Sequence, residues 1–159
     1  MSTLMDWDND WETLTKKANA ECFAGNWKSA EVIYKQLLGR FDESLLSDRN
    51  MPPDRLTVFT DRFIITNHNL AECLQRQKKH HQVTQYYYRP LRRFYSIFNR
   101  KDLSSAQRES FLHRYNYCFT FYALHQRKSQ NHFGTTLLKK TLEDKLSFVQ
   151  VRTFKEDFK

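Results

Sequence analysis

Apolar side chains recur along this chain at steps of three and four, the period of a helix that buries one face. Trp7, Trp11, Leu14, Ala18 and Cys22 form the first such stripe, and Gly25-Asn26 interrupts it. Trp27, Ala30, Tyr34, Leu37, Phe41 and Leu45 form the second, so residues 7–46 read as a helical hairpin. The clearest break runs from Ser47 to Asp54, where Pro52 and Pro53 are barred from a helix interior but suit a first turn. A third stripe follows through Leu56, Phe59, Phe63, Asn67, Leu70 and Leu74. After the polar stretch Lys78 to Gln82 comes a fourth, through Val83, Tyr87, Leu91, Phe94 and Phe98. Pro90 is expected to kink or split that helix, because it lacks a backbone donor and crowds the preceding turn.

Asn99 to Ser105 supplies the next break, with Asp102 and Ser104 as candidate N-caps. Phe111, Tyr115, Cys118, Phe119 and Tyr122 mark a fifth helix, Gln126 to Gly134 a loop, and Leu138, Leu142 and Leu146 a sixth helix. The expected fold is all-α: about six helices in three stacked antiparallel hairpins, near 7–46, 54–98 and 103–147. They make one domain across residues 1–159, with a C-terminal tail at 148–159 that reads as a short strand, a docked arm or a frayed end.

Composition supports helices and narrows the function classes. The chain has 159 residues, with only three Gly and three Pro but thirteen Phe, eight Tyr and three Trp. So few turn formers argue against a Gly-rich nucleotide-binding fold or a many-turned β-sandwich. A mean hydropathy of −0.78 and the lack of a long apolar run argue against a transmembrane span. The acidic start, MSTLMDWDNDWE, does not resemble a secretory signal, and Cys22, Cys73 and Cys118 form no CxxC pair. Reduced thiols in the cytoplasm are therefore expected. Residues 1–50 carry nine acidic and six basic side chains, and residues 51–159 nine and twenty. The basic part would attract nucleic acid, anionic lipid or an acidic peptide, while the acidic start shields it or pairs with a neighbour.

An internal repeat is visible. Ala20-Glu21-Cys22-Phe23 returns as Ala71-Glu72-Cys73-Leu74, and Cys118-Phe119 follows in the fifth helix. Each cysteine then sits in the first helix of a hairpin, where a small side chain permits close helix approach. Gly25-Asn26-Trp27-x-x-Ala30-x-x-x-Tyr34 resembles the turn and second helix of a tetratricopeptide motif. Leu70-Ala71-x-x-Leu74 with His80-x-x-Val83-x-x-x-Tyr87 is similar to a second copy, with Lys78 in place of the turn glycine. Ala30 and Val83 are 53 residues apart, against about 34 for the family repeat, so the helices or linkers are longer.

The resemblance implies a peptide groove lined by the first helices of the hairpins. Some members of the family grip a terminal carboxylate there with Lys, Asn and Arg. Their register puts Asn19 and Asn69 at the two Asn positions, Lys16 one residue from a lysine position, and Arg114 at the Arg position, with Ser110 at the second lysine. Amide and guanidinium donors suit a carboxylate. The leading expectation is thus a non-enzymatic module that binds a protein or peptide partner, acidic in the carboxylate reading, through Lys16, Asn19, Asn69 and Arg114.

The alternative is nucleic-acid binding by the basic stretch between residues 78 and 140. Tyr86 to Lys101 interleaves aromatics with Arg89, Arg92, Arg93, Arg100 and Lys101, which suits base stacking and phosphate neutralisation. If the aromatics are core instead, those five cations form a solvated face. A homo-oligomeric scaffold is the third reading, resting on Trp7, Trp11 and the aromatic fifth helix. No catalytic residue, metal site or cofactor is expected. His80-His81 are adjacent and diverge on a helix, His113, Cys118 and His125 are poorly spaced for a metal, and the isolated glycines form no phosphate loop.

Overall fold

The computed structural model describes residues 4–44 and 51–128, and all five elements found there are α-helices. They are α1 (Leu4–Phe23), α2 (Trp27–Ser44), α3 (Pro53–Arg76), α4 (His80–Phe98) and α5 (Ser105–Lys128). Each packs against the next, and α3 also reaches α5. The architecture is the expected all-α stack of hairpins. The expected sixth helix, the far half of the third hairpin and the tail at 148–159 lie outside the described residues.

Local chemistry explains where the helices begin and end. Pro52 caps α3 and Pro53 opens it, with Asp54 in the first turn facing the positive end of the helix dipole. Ser104 caps α5 through a reciprocal capping box: its Oγ accepts from Gln107 N at 3.1 Å and its own N donates to Gln107 Oε1 at 2.8 Å. Asp102, the other candidate cap, pairs with Arg100 instead.

The two hairpin turns are built alike. Asn26 N bonds Glu21 O at 2.8 Å after α1, and Lys79 N bonds Leu74 O at 2.9 Å after α3. The inner bonds Gly25 N to Cys22 O and Lys78 N to Gln75 O are 3.0 Å each. This is a Schellman motif at both ends, and it requires a left-handed residue. Gly25 supplies it at φ +81, and Lys78 supplies it at φ 59.

The apolar stripes face one another. Ala18, Ala30, Tyr34, Leu37, Phe41, Leu56, Phe59, Phe63, Leu70, Leu74, Val83, Leu91, Phe94 and Phe111 are all buried. Phe41 joins three helices, with edge-to-face contacts to Trp7 and Phe59 at 5.0 Å and to Phe63 at 5.4 Å. Such pairs add about 0.5–1.5 kcal/mol each beyond area burial. Phe94 plays the same part against Phe98 and Tyr115, joining α4 to α5.

Two sequence expectations need correction. Pro90 does not split α4, which runs unbroken from His80 to Phe98 with the proline buried inside it. Arg93 is not solvated. It lies on the face of Tyr86, Pro90 and Ile97, at steps of four, three and four, and is buried with its guanidinium 4.5 Å above Phe59 and 4.8 Å above Phe63. A planar, weakly hydrated cation suits that aromatic bed.

Candidate functional site

A groove of about 500 Å³ opens along α1, α3 and α5, the first helices of the hairpins, and reaches the start of α2. Asn19, Cys22 and Phe23 come from α1, and Trp27 and Tyr34 from α2. The α3 helix contributes Ile64, Ile65, His68, Asn69, Glu72 and Arg76, and α5 contributes Tyr117. Phe23 at the lip is 94% exposed, an aromatic left in water beside an apolar wall.

One hydrogen bond crosses the floor. The Tyr34 hydroxyl donates to Asn19 Oδ1 at 2.6 Å, and the Asn69 amide lines the same groove from α3. Burial raises the Tyr34 pKa above the ordinary phenol value, so the hydroxyl keeps its proton. With its Oδ1 taken by Tyr34, Asn19 still has two amide N–H groups, and the Asn69 amide offers both a donor and a carbonyl acceptor. Both side chains line the groove.

His68 closes the inner end. Its ring packs 5.2 Å from Tyr87, 5.9 Å from Tyr117 and 5.0 Å from Phe121. Its Nε2 is enclosed without a hydrogen-bond partner, and burial pushes its pKa down to about 3. It is neutral at ordinary pH. At the outer end the Arg76 guanidinium pairs with Glu72 at 2.8 Å and covers the Trp27 ring at 5.7 Å.

Beneath the groove, Cys22 Sγ lies 3.8 Å from Cys73 Sγ and 3.9 Å from the Tyr34 hydroxyl. Cys73 is buried and donates to Trp27 O at 3.2 Å. Burial, with the neighbouring Cys22, pushes its pKa up to about 12.

The four residues expected to bind a partner separate into two pairs. Asn19 and Asn69 line the same groove, from α1 and α3. Lys16 is exposed and pairs with Glu12 one turn away at 2.7 Å, and Arg114 grips Asp61 at 2.5 and 2.9 Å and bonds Ser110. Neither of these cations lines the groove. Within the basic stretch, Arg92 and Lys101 are exposed and Arg93 is buried. Arg100 holds Asp102 through two bonds, and Arg89 lies 5.9 Å from the Phe63 ring.

Tyr34 and His68 were not foreseen as groove residues. Tyr34 sits in a core stripe, and His68 carries no motif, although it immediately precedes Asn69. Among the described residues no three His, Cys, Asp or Glu side chains converge for a metal, and no helix is long and apolar enough to cross a membrane.

Residues 9–152 match a family described as a protein of unknown function (DUF2753), and this match is not to the tetratricopeptide family. No curated protein and no solved structure matches the chain.

Proposed function

We propose that this chain, which belongs to the DUF2753 family, is a non-enzymatic interaction module that receives an extended peptide segment of a partner protein in the α1–α3–α5 groove. One observation carries the reading: two amides on different helices, Asn19 on α1 and Asn69 on α3, line one groove, with Asn19 held by the Tyr34 hydroxyl. A peptide unit offers the complementary pair, a carbonyl and an N–H, in every residue. The apolar wall of Ile64, Ile65, Trp27 and Phe23 would hold alternate side chains of the segment. Fixing Asn19 in advance lowers the ordering cost of binding.

Recognition of an acidic or carboxylate-ended segment has less support. Lys16 and Arg114 serve Glu12 and Asp61, and the groove's own arginine is paired with Glu72. A backbone-reading groove needs no net charge in its ligand.

The test is selection from a random peptide library on the full chain, followed by affinity measurement with the recovered sequences. Asn19→Ala with Asn69→Ala should weaken binding at least about fivefold, since each lost hydrogen bond is worth about 0.5–1.5 kcal/mol. Arg92→Glu with Lys101→Glu, outside the groove, should change it less than twofold. The reverse pattern would replace the groove by the basic surface, and retention of RNA at low salt by the unmutated chain would point the same way.

A further inference from the structure

We propose that Cys22 and Cys73 form an oxidant-dependent dithiol, closing to an intramolecular disulfide that staples α1 to α3 beneath the groove. The two sulfurs already face each other at 3.8 Å with the thiols free. A disulfide needs them at about 2.05 Å, so the closure asks for a movement of under about 2 Å. Cys22 lies in the last turn of α1, three residues before the left-handed Gly25, where such an adjustment is easiest. The pair is asymmetric, and the asymmetry assigns the roles. Cys22 is half-buried and lines the groove, within reach of a small solute. Cys73 is fully buried and held by Trp27 O, so it reaches no solute but does reach Cys22.

The reaction takes a hydroperoxide as oxidant. The Cys22 thiolate attacks one peroxide oxygen, the O–O bond breaks, and Cys22 becomes a sulfenic acid while the remaining oxygen leaves as water or alcohol. Cys73 then gives up its proton and attacks Cys22 Sγ. The S–O bond breaks, and hydroxide leaves with that proton as water. In sum two thiols lose two hydrogens and the peroxide is reduced. Cys118 takes no part: fully buried on α5, it neither lines the groove nor lies against Cys22, the two positions that Cys22 and Cys73 hold. The staple would close a loop with a sequence separation of 51 residues and so restrict the unfolded chain. It does not depend on what the groove binds.

The full reduced chain, treated with hydrogen peroxide under native conditions, then denatured and alkylated, should expose one thiol instead of three. Its mass should fall by two hydrogens, and digestion should yield one cross-linked pair, the Cys22 and Cys73 peptides. The oxidised chain should remain a monomer on a non-reducing gel and should unfold at a higher urea concentration than the reduced chain. Cys22→Ser should leave Cys73 alkylatable after the same treatment, and Cys118→Ser should leave the cross-link intact. Recovery of Cys22 as a stable sulfenic or sulfinic acid with Cys73 still reduced would overturn the proposal. So would a cross-link through Cys118 or between two chains. The unmutated chain alone decides these outcomes, so a variant that fails to fold does not blunt the test.

Discussion

His68 is an imidazole held among three aromatic rings with an enclosed, unpartnered Nε2, and its burial pushes its pKa down to about 3. An unfolded histidine titrates near 6.5. Between those values the unfolded chain binds a proton that the native chain refuses, so His68 stabilises the fold fully above about pH 6.5 and progressively less as pH falls toward 3. His125, whose pKa is also lowered by burial and by His80 and Lys128, acts in the same direction. Glu31 and Asp8, held low by their cationic partners, stay charged in the native state and matter only below the ordinary carboxylate range. The window from pH 6.5 to 5 therefore belongs to the histidines. Urea midpoints should fall across it in the unmutated chain, by at most about 1.4 kcal/mol per pH unit for this one group, and fall less in His68→Phe. Parallel pH curves for the two proteins would refute the assignment. The same scale shows what sequence reading loses. Asn19 and Asn69 were legible only through a family register, because an amide on a helix face looks alike whether it lines a groove or faces bulk water. Arg93 was misread because charge outweighed its spacing, although its steps to Tyr86, Pro90 and Ile97 mark a buried face.

At the scale of elements the sequence was far more informative, because apolar period and helix breakers act locally. Every stripe residue of α3 from Leu56 to Leu74 is buried, and Pro53 and Ser104 mark their helix starts as their chemistry requires. Pro90 does not split α4 because a proline inside a helix removes one bond, while the face carrying Tyr87, Leu91 and Phe94 still buries enough surface to hold the helix together. The turns offer a paired prediction. Gly25 and Lys78 occupy the same left-handed position in the same motif, yet only glycine adopts it without cost. Gly25→Ala should destabilise the protein by about 1 kcal/mol through strain alone, since a Cβ there meets nothing within 4 Å. Lys78→Gly should stabilise it by up to about 1 kcal/mol, the relief of strain being partly offset by greater freedom in the unfolded chain. Thermal or urea unfolding reads both, and a Lys78→Gly protein less stable than its parent would mean that the lysine side chain holds the turn in another way.

Across the whole molecule, the uneven charge along the chain resolves into ties between helices. Asp8 on α1 takes both nitrogens of Arg55 at 2.7 Å each and is also met by Arg62, binding α1 to α3. Asp10 reaches Arg40 on α2, and Glu31 on α2 reaches Lys79 beyond α3. Asp61 on α3 holds Arg114 on α5. The acidic start thus finds its cations inside the fold, which is one of the two roles its composition suggested. These ties are unequal in worth. Asp8 is about a quarter exposed and bonded to two arginines, whereas the Lys16–Glu12 pair lies on the surface, where screening leaves little. Asp8→Asn should cost about 1–3 kcal/mol, because it removes the carboxylate that two partly buried guanidiniums share. Glu12→Gln should cost nothing measurable. Added salt should narrow the Asp8 difference without abolishing it, since a partly buried pair is screened less than an exposed one. The consequence reaches the groove, one wall of which is α1. Trp11 Nε1 on Thr66 Oγ1 at 3.0 Å is the next tie along that wall, and beyond it Leu14 and Ala18 pack into the core before Asn19 and Cys22 reach the groove. Loosening the far end of α1 through Asp8→Asn should therefore lower affinity for a groove-bound peptide although Asp8 does not line the groove. Unchanged affinity alongside a lowered urea midpoint would show that the groove end of α1, with its Tyr34–Asn19 bond, holds its geometry without help from the clamp.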